Sequence, residues 1–89
     1  MLNNFIVEGK IKTYEVAEEG NLYVTLEVER DDNNGGIDIV KVYLKGNLGY
    51  VFFKYCDIED VITVNGHIES NKQLDYKFVA DKMTCKIRK

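Results

Sequence analysis

Eighty-nine residues, 45% of them hydrophobic and 30% charged, with no proline and no tryptophan, make one globular domain spanning 1–89 and exclude a disordered tail, a collagen-like chain or a repeat array. A chain of this size buries only about 60–65% of its unfolded surface, so its core is small and self-association is expected. The net charge of −3 gives no overall attraction to a polyanion, yet it is unevenly spread: residues 1–40 hold nine acids against Lys10, Lys12 and Arg30, and residues 41–89 hold nine bases against six acids. A basic stripe is therefore compatible with an acidic whole.

The first run, Phe5 to Tyr14, alternates Phe5, Val7, Gly9 and Ile11 with Glu8, Lys10 and Lys12, the period-two signature of a strand with one buried face. Gly9 inside it predicts a bulge or tight bend. Glu18-Glu19-Gly20-Asn21 reads as a turn. A second strand, Leu22 to Glu29, places Leu22, Val24, Leu26 and Val28 on one face and Tyr23, Thr25, Glu27 and Glu29 on the other. The polar segment Arg30 to Gly36, ending in two glycines, is a hairpin loop.

A third strand, Ile37 to Lys45, turns Val40, Val42 and Leu44 inward and Ile39, Lys41, Tyr43 and Lys45 outward. The period then changes. Leu48, Val51, Phe52 and Tyr55 fall at i, i+3, i+4 and i+7 with Asn47 as N-cap, which predicts a helix over 47–56 plugging one end of a barrel. A fourth strand, Val61 to Glu69, alternates Ile62, Val64, Gly66 and Ile68 with Thr63, Asn65, His67 and Glu69. A loop at Ser70 to Gln73 leads to a fifth strand, Leu74 to Ala80, and a last extended segment, Met83 to Ile87.

Three strands, one short helix and two more strands make the order of a mainly all-β, five-stranded barrel of the OB type, with its helix between strands three and four; such barrels bind oligonucleotides or proteins. No apolar run reaches the length of a secretory signal core or a membrane span, which points to a cytoplasmic protein without membrane contact. Cys56 and Cys85 form no CxxC or Cys/His cluster, so both are read as small apolar side chains, with neither zinc nor a disulfide framework indicated. No phosphate-cradling loop, GxSxG or HExxH is present, and the chain is read as a non-enzyme without a cofactor. Asp57, Glu59 and Asp60 fit an acidic loop after the helix better than paired catalytic carboxylates or a cation site. His67 has no Cys, Asp or Glu at ligand spacing on this reading and is given no role.

Leu2-Asn3-Asn4, Gly9-Lys10-Ile11, Val24-Thr25-Leu26, Asp38 to Leu48, Asn65-Gly66-His67-Ile68 and Val79-Ala80-Asp81, in this order and at these spacings, resemble the bacterial single-stranded DNA-binding protein family. The likeness covers nearly the whole chain and extends to that family's small primosomal relative, primosomal replication protein N. It implies an OB-fold homodimer or homotetramer that holds single-stranded DNA, or RNA, without sequence preference in replication, repair or recombination, alongside replication proteins.

Carried over by residue, the likeness shows a loss. The family's stacking aromatic at the start of strand three falls on Ile39, the one before the strand-three glycine on Lys45, the hairpin aromatic near Asp32 and the one after strand four near Gln73. Lys41 keeps a basic position, and Tyr43 can supply one stacking surface. The expected nucleic-acid face therefore consists of Tyr23, Ile39, Lys41, Tyr43, Lys45 and Lys72. Each base stacked on an aromatic is worth about 1–3 kcal/mol, so missing platforms imply weak binding. The alternatives are a protein-interaction module that has lost most nucleic-acid affinity, an interface being the second use of Tyr43 after nucleic-acid contact and ahead of a lone surface aromatic, and solvated strand lysines at 41 and 45. Tyr50, Phe53 and Lys54, on the outer side of the helix, fit a dimer contact or partial burial.

Overall fold

In the computed structural model, which describes residues 1–31, 35–73 and 75–85, five strands close into a barrel in the order β1-β2-β3-β5-β4. The strands are β1 (Phe5–Val16), β2 (Leu22–Glu29), β3 (Ile37–Leu44), β4 (Val61–Ser70) and β5 (Tyr76–Cys85), with helix α1 (Asn47–Tyr55) between β3 and β4. This is the OB-type architecture expected from the order of elements. The alternating pattern sets which side chains fill it: Ile11, Leu22, Val24, Leu26, Val42, Leu44, Ile62 and Val64 have no exposed surface, because period-two side chains on a curled sheet all reach one interior. Phe52 of α1 closes an end of that interior.

Strand β1 serves two neighbours. Its first half, Phe5 to Lys10, pairs antiparallel with β4, and its second half, Lys10 to Val16, with β2, so that Lys10 faces both Glu27 and Val61. The irregularity in this strand lies between Ile11 and Thr13 rather than at Gly9. Gly9 has a different use, since a Cβ there would stand 2.7 Å from the Glu27 carbonyl oxygen, and the strand could not bend so closely over β2.

The barrel closes through a short parallel pairing, Val42 with Phe78 and Tyr43 with Val79. The two extended segments expected at the C-terminal end are one strand, Tyr76–Cys85, running antiparallel to β4 with a register shift between Asn65 and Gly66. The shift skips Asp81, and the bulge lets one strand curve where two were expected. At that point Gly66 lies against the Val79 carbonyl and the Phe5 ring, in space that no side chain could occupy. Leu74, the expected start of the fifth strand, lies outside the described residues.

Helix α1 is present but differs in detail. Gly46 is its N-cap residue and Asn47 its first helical residue, with no side-chain cap; the Gly46 N–H instead donates to Oδ1 of Asn21 at 2.9 Å. Tyr55, expected inside, is exposed, and the buried side runs through Gly49, Phe52 and Cys56 with Leu48 packed beside it. Cys56 is drawn inward because it forms a disulfide with Cys85, its partner 29 positions on, with Cα atoms 6.5 Å apart. The reading of both cysteines as unpaired apolar side chains is thereby corrected. Their spacing carried no motif because the bond joins the end of α1 to the end of β5, which only the closed barrel brings together.

Candidate functional site

The outward face of β2, β3 and β5 carries the expected side chains, with one large change. Strand register sets Tyr23 opposite Tyr43 and Thr25 opposite Lys41, while Tyr43 is also level with Val79 of β5. Tyr43 thus lies on the face opposite the core residues Val42 and Leu44, as its parity requires. It is nevertheless only 5% exposed, which corrects the expectation of an open stacking surface. Three neighbours cover it. The Tyr23 ring packs 4.7 Å away, centroid to centroid and tilted by 41°; the Lys77 ammonium sits 4.4 Å over its ring; and Asn21 Nδ2 donates to its hydroxyl at 2.9 Å.

Tyr23 is half-buried between two cations, with Lys41 Nζ 5.5 Å and Lys77 Nζ 5.8 Å from its centroid. The two tyrosines form a floor, and the electron-rich ring faces hold the two ammonium groups above it. The Tyr23 hydroxyl, first, holds the Lys77 ammonium above the usual lysine range against desolvation, with further support from Tyr43 and Glu69. Lys77 is therefore a firmly charged group. A groove of about 580 Å³ opens over this floor, with Ile39 and Tyr76 among its walls. Both walls are well exposed, Ile39 by 63% and Tyr76 by 68%.

The remaining expected residues are less central. Lys45 is exposed at the end of β3 and stands 3.7 Å from Glu69. Lys72 is exposed in the loop after β4, which Asn71 folds by accepting the N–H groups of Gln73 and Asp75 on its Oδ1 at 2.8 and 3.1 Å, and it does not line the groove. Asp32, the hairpin position of a lost family aromatic, lies outside the described residues. Lys77 and Tyr76 were missed by sequence reasoning. The alternation Tyr76-Lys77-Phe78 was visible, but that Lys77 lies beside Tyr43 follows from the parallel closure of β3 on β5, which has no local signal.

Two other clusters are resolved by contacts. Glu59 pairs with Lys10 at 3.3 Å, the Asp57 N–H donates to Asp60 at 2.9 Å, and the Glu59 N–H donates to the Ile11 carbonyl at 2.9 Å, so the acidic loop is strapped to β1. His67, given no role from sequence, has a carboxylate on each nitrogen: Asp81 at 2.9 Å from Nδ1 and Glu69 at 2.7 Å from Nε2. Asp81 first, then Glu69, raises the imidazole above its ordinary value. Glu69 was in fact two positions along the same strand face, and Asp81 arrives from β5 at the bulge. Among the described residues, no group of three or more His, Cys, Asp or Glu side chains is arranged to hold a metal ion.

A closed five-stranded barrel with a helix between β3 and β4 and a cationic, tyrosine-floored groove on its outer face defines the chain as an OB-fold protein. Among solved structures it is similar to the small single-stranded DNA-binding protein of Streptomyces coelicolor, at 13% identity and TM-score 0.73, covering 98% of this chain and 96% of that one. It is also similar to a small single-stranded DNA-binding protein of Mycoplasma pneumoniae, at 21% identity and TM-score 0.71 with 94% and 93% covered. A third likeness is to the dimeric N-terminal domain of the PriB protein from Thermoanaerobacter tencongensis, at 16% identity and TM-score 0.70 with 97% and 98% covered. No protein-family profile matches the chain, and no curated protein matches it by sequence. The likeness is one of fold.

Proposed function

We propose that this protein is a non-catalytic binder of single-stranded DNA that holds its ligand along the outer face of β2, β3 and β5. The observation that carries this reading is the placing of Lys41 and Lys77 above the paired rings of Tyr23 and Tyr43, beside a groove walled by exposed Ile39 and Tyr76. Lys41, Lys77 and Lys45 take phosphates, while bases lie against Tyr76, Ile39 and the open edge of Tyr23. Every base has an apolar ring face, so such contacts are sequence-tolerant. Affinity is modest, because Tyr43 is covered and Ile39 is not aromatic. Structures of like fold that are named for single-stranded DNA binding support the choice of ligand. The setting that fits is replication, repair or recombination, with the chain assembled as a homodimer or homotetramer.

Fluorescence anisotropy with labelled oligo-dT, and oligo-U in parallel, tests the reading. Binding that weakens with salt and drops on Lys41→Glu is the expected result, and no binding at tens of micromolar would reject it. In that case the alternative is a protein-interaction module. It is favoured by the exposed Tyr50 and Phe53 on α1, where Phe53 packs edge-on against Tyr14 with centroids 5.3 Å apart. Light scattering across a concentration series tests the homo-oligomer.

A further inference from the structure

Beside the groove, His67, Glu69, Asp81, Lys45 and Lys77 form one chain of charges across β4, β5 and the end of β3. His67 Nε2 and Lys45 Nζ converge on the same oxygen of Glu69, Oε2, at 2.7 and 3.7 Å. Register places Glu69 opposite Lys77, whose ammonium covers Tyr43. We propose that Glu69 and His67 are a positioning pair for the phosphate-binding lysines, so that protonation of His67 engages the Glu69 carboxylate, loosens its hold on Lys45 and Lys77, and strengthens the grip on single-stranded DNA. The inference rests on the reading of this face as the binding site and names its regulation.

The chemistry follows from the donor count of imidazole. A protonated ring carries two N–H groups and can donate to Asp81 and Glu69 together; a neutral ring carries one and must leave one carboxylate without its donor. Loss of the proton also leaves two carboxylate charges facing no imidazolium. The nearest cations that can answer Glu69 are then Lys45 and Lys77, the groups a phosphate needs. DNA and Glu69 compete for the same ammonium groups, and His67 decides how strongly Glu69 competes.

Among the described residues, the surroundings of His67 contain no other group that would do this. On its own strand the charged neighbour is Glu69. From β5 come Asp81, Lys77 and, opposite Asn65, Lys82, with uncharged Val79 opposite His67 and Tyr43 beyond Val79. From the end of β3 comes Lys45, acting through Glu69. On the β1 side the preceding segment offers Asn3, which is uncharged and occupied by both backbone groups of Ile68, at 2.8 and 3.0 Å. His67 is raised by its two carboxylates, Asp81 first and then Glu69, and Glu69 is lowered, mainly by His67, which moves the change above the ordinary histidine value.

The test measures oligo-dT binding by anisotropy from pH 5.5 to 8.5 at constant ionic strength, for wild type, His67→Gln and Glu69→Gln, with a thermal melt at each pH to show that the protein is folded. One unit charge acting over about 7 Å at a wet surface changes affinity by about three- to sevenfold. Wild-type Kd is expected to rise by that factor with increasing pH. His67→Gln should be flat at the weaker, high-pH affinity, and Glu69→Gln nearly flat at the tighter one. A purely structural His67 would shift the melt and leave the slope in place. Binding that is independent of pH in wild type, or a slope that survives in His67→Gln, overturns the inference while leaving the binding face intact. Absence of binding at every pH overturns the face and the inference together.

Discussion

Replacing Lys77 by alanine removes the cation that the tyrosine floor holds most closely, at 4.4 Å from the Tyr43 ring. Each phosphate neutralised on a single strand contributes about −0.7 to the slope of log K against log salt. With Lys41, Lys45 and Lys77 engaged, the wild-type slope should be about −2, an affinity loss of roughly 18-fold between 50 and 200 mM salt. Without Lys77 the slope should be about −1.4 and the loss roughly sevenfold. The same term makes the variant about eightfold weaker than wild type at 50 mM but only about threefold weaker at 200 mM. The two salt curves therefore converge. Anisotropy titrations of Lys77→Ala against oligo-dT at four salt concentrations measure this, with Lys72→Ala as the comparison because Lys72 lies outside the groove. If Lys77→Ala kept the wild-type slope while Lys72→Ala lowered it, the placing of the phosphate path over β3 and β5 would be wrong.

Reducing the Cys56–Cys85 bond opens a loop of 29 residues; by the chain-entropy relation this is worth about 3.6 kcal/mol. Urea denaturation with and without dithiothreitol should show a loss of that order, and one under 1 kcal/mol would mean that the two cysteines are not bonded in solution. Gly66→Ala puts a methyl group into the Val79 carbonyl and the Phe5 ring, and should cost about 1–3 kcal/mol or more by overpacking; a variant with a wild-type melt would contradict the described β4–β5 register. The histidine also links stability to pH. Because its folded value lies above the unfolded one, His67 stabilises the fold fully below about 6.5 and loses that contribution as pH rises through the folded value. Melting temperature should fall from pH 6 to 8.5 by more in wild type than in His67→Gln, and equal slopes would refute the linkage. Asp38 acts with the opposite sign: Arg30, donating from Nε and Nη2 at 2.8–3.1 Å, lowers it, so its contribution is present at neutral pH and is lost as pH falls below the ordinary carboxylate range. Asp38→Asn should flatten the acid limb of the stability profile, and an unchanged limb would show the pair idle in solution.

Much of the barrel was legible in the chain because its information is local. Side chains two apart on a strand share a face, so Leu22, Val24, Leu26, Val42, Leu44, Ile62 and Val64 could be assigned to the interior one strand at a time. The change from period two to the spacing of Leu48, Val51 and Phe52 marked the helix in the same way. The outward set Tyr23, Ile39, Lys41, Tyr43 and Lys45 followed from parity alone. What parity does not contain is cover. Whether Tyr43 is open depends on what lies across it, and Lys77 reaches it from β5 while Tyr23 and Asn21 reach it from the start of β2 and the residue before it.

Closure is the non-local event from which the rest derives. Pairing β3 with β5 over Val42–Phe78 and Tyr43–Val79 brings residues 36 positions apart into register, and no sequence period spans that distance. That pairing seats Lys77 on the tyrosine floor and turns a strand tyrosine from a candidate stacking platform into the base of a cation site. The bulge that skips Asp81 delivers a second carboxylate to His67, and the approach of the end of β5 to the end of α1 joins Cys56 to Cys85. The amino-acid order by itself determined which side of each strand is wet and which is dry, since that depends only on neighbours along the chain. The tertiary structure alone decided which wet side chains meet, because contact between distant strands is set by how the curled sheet returns on itself.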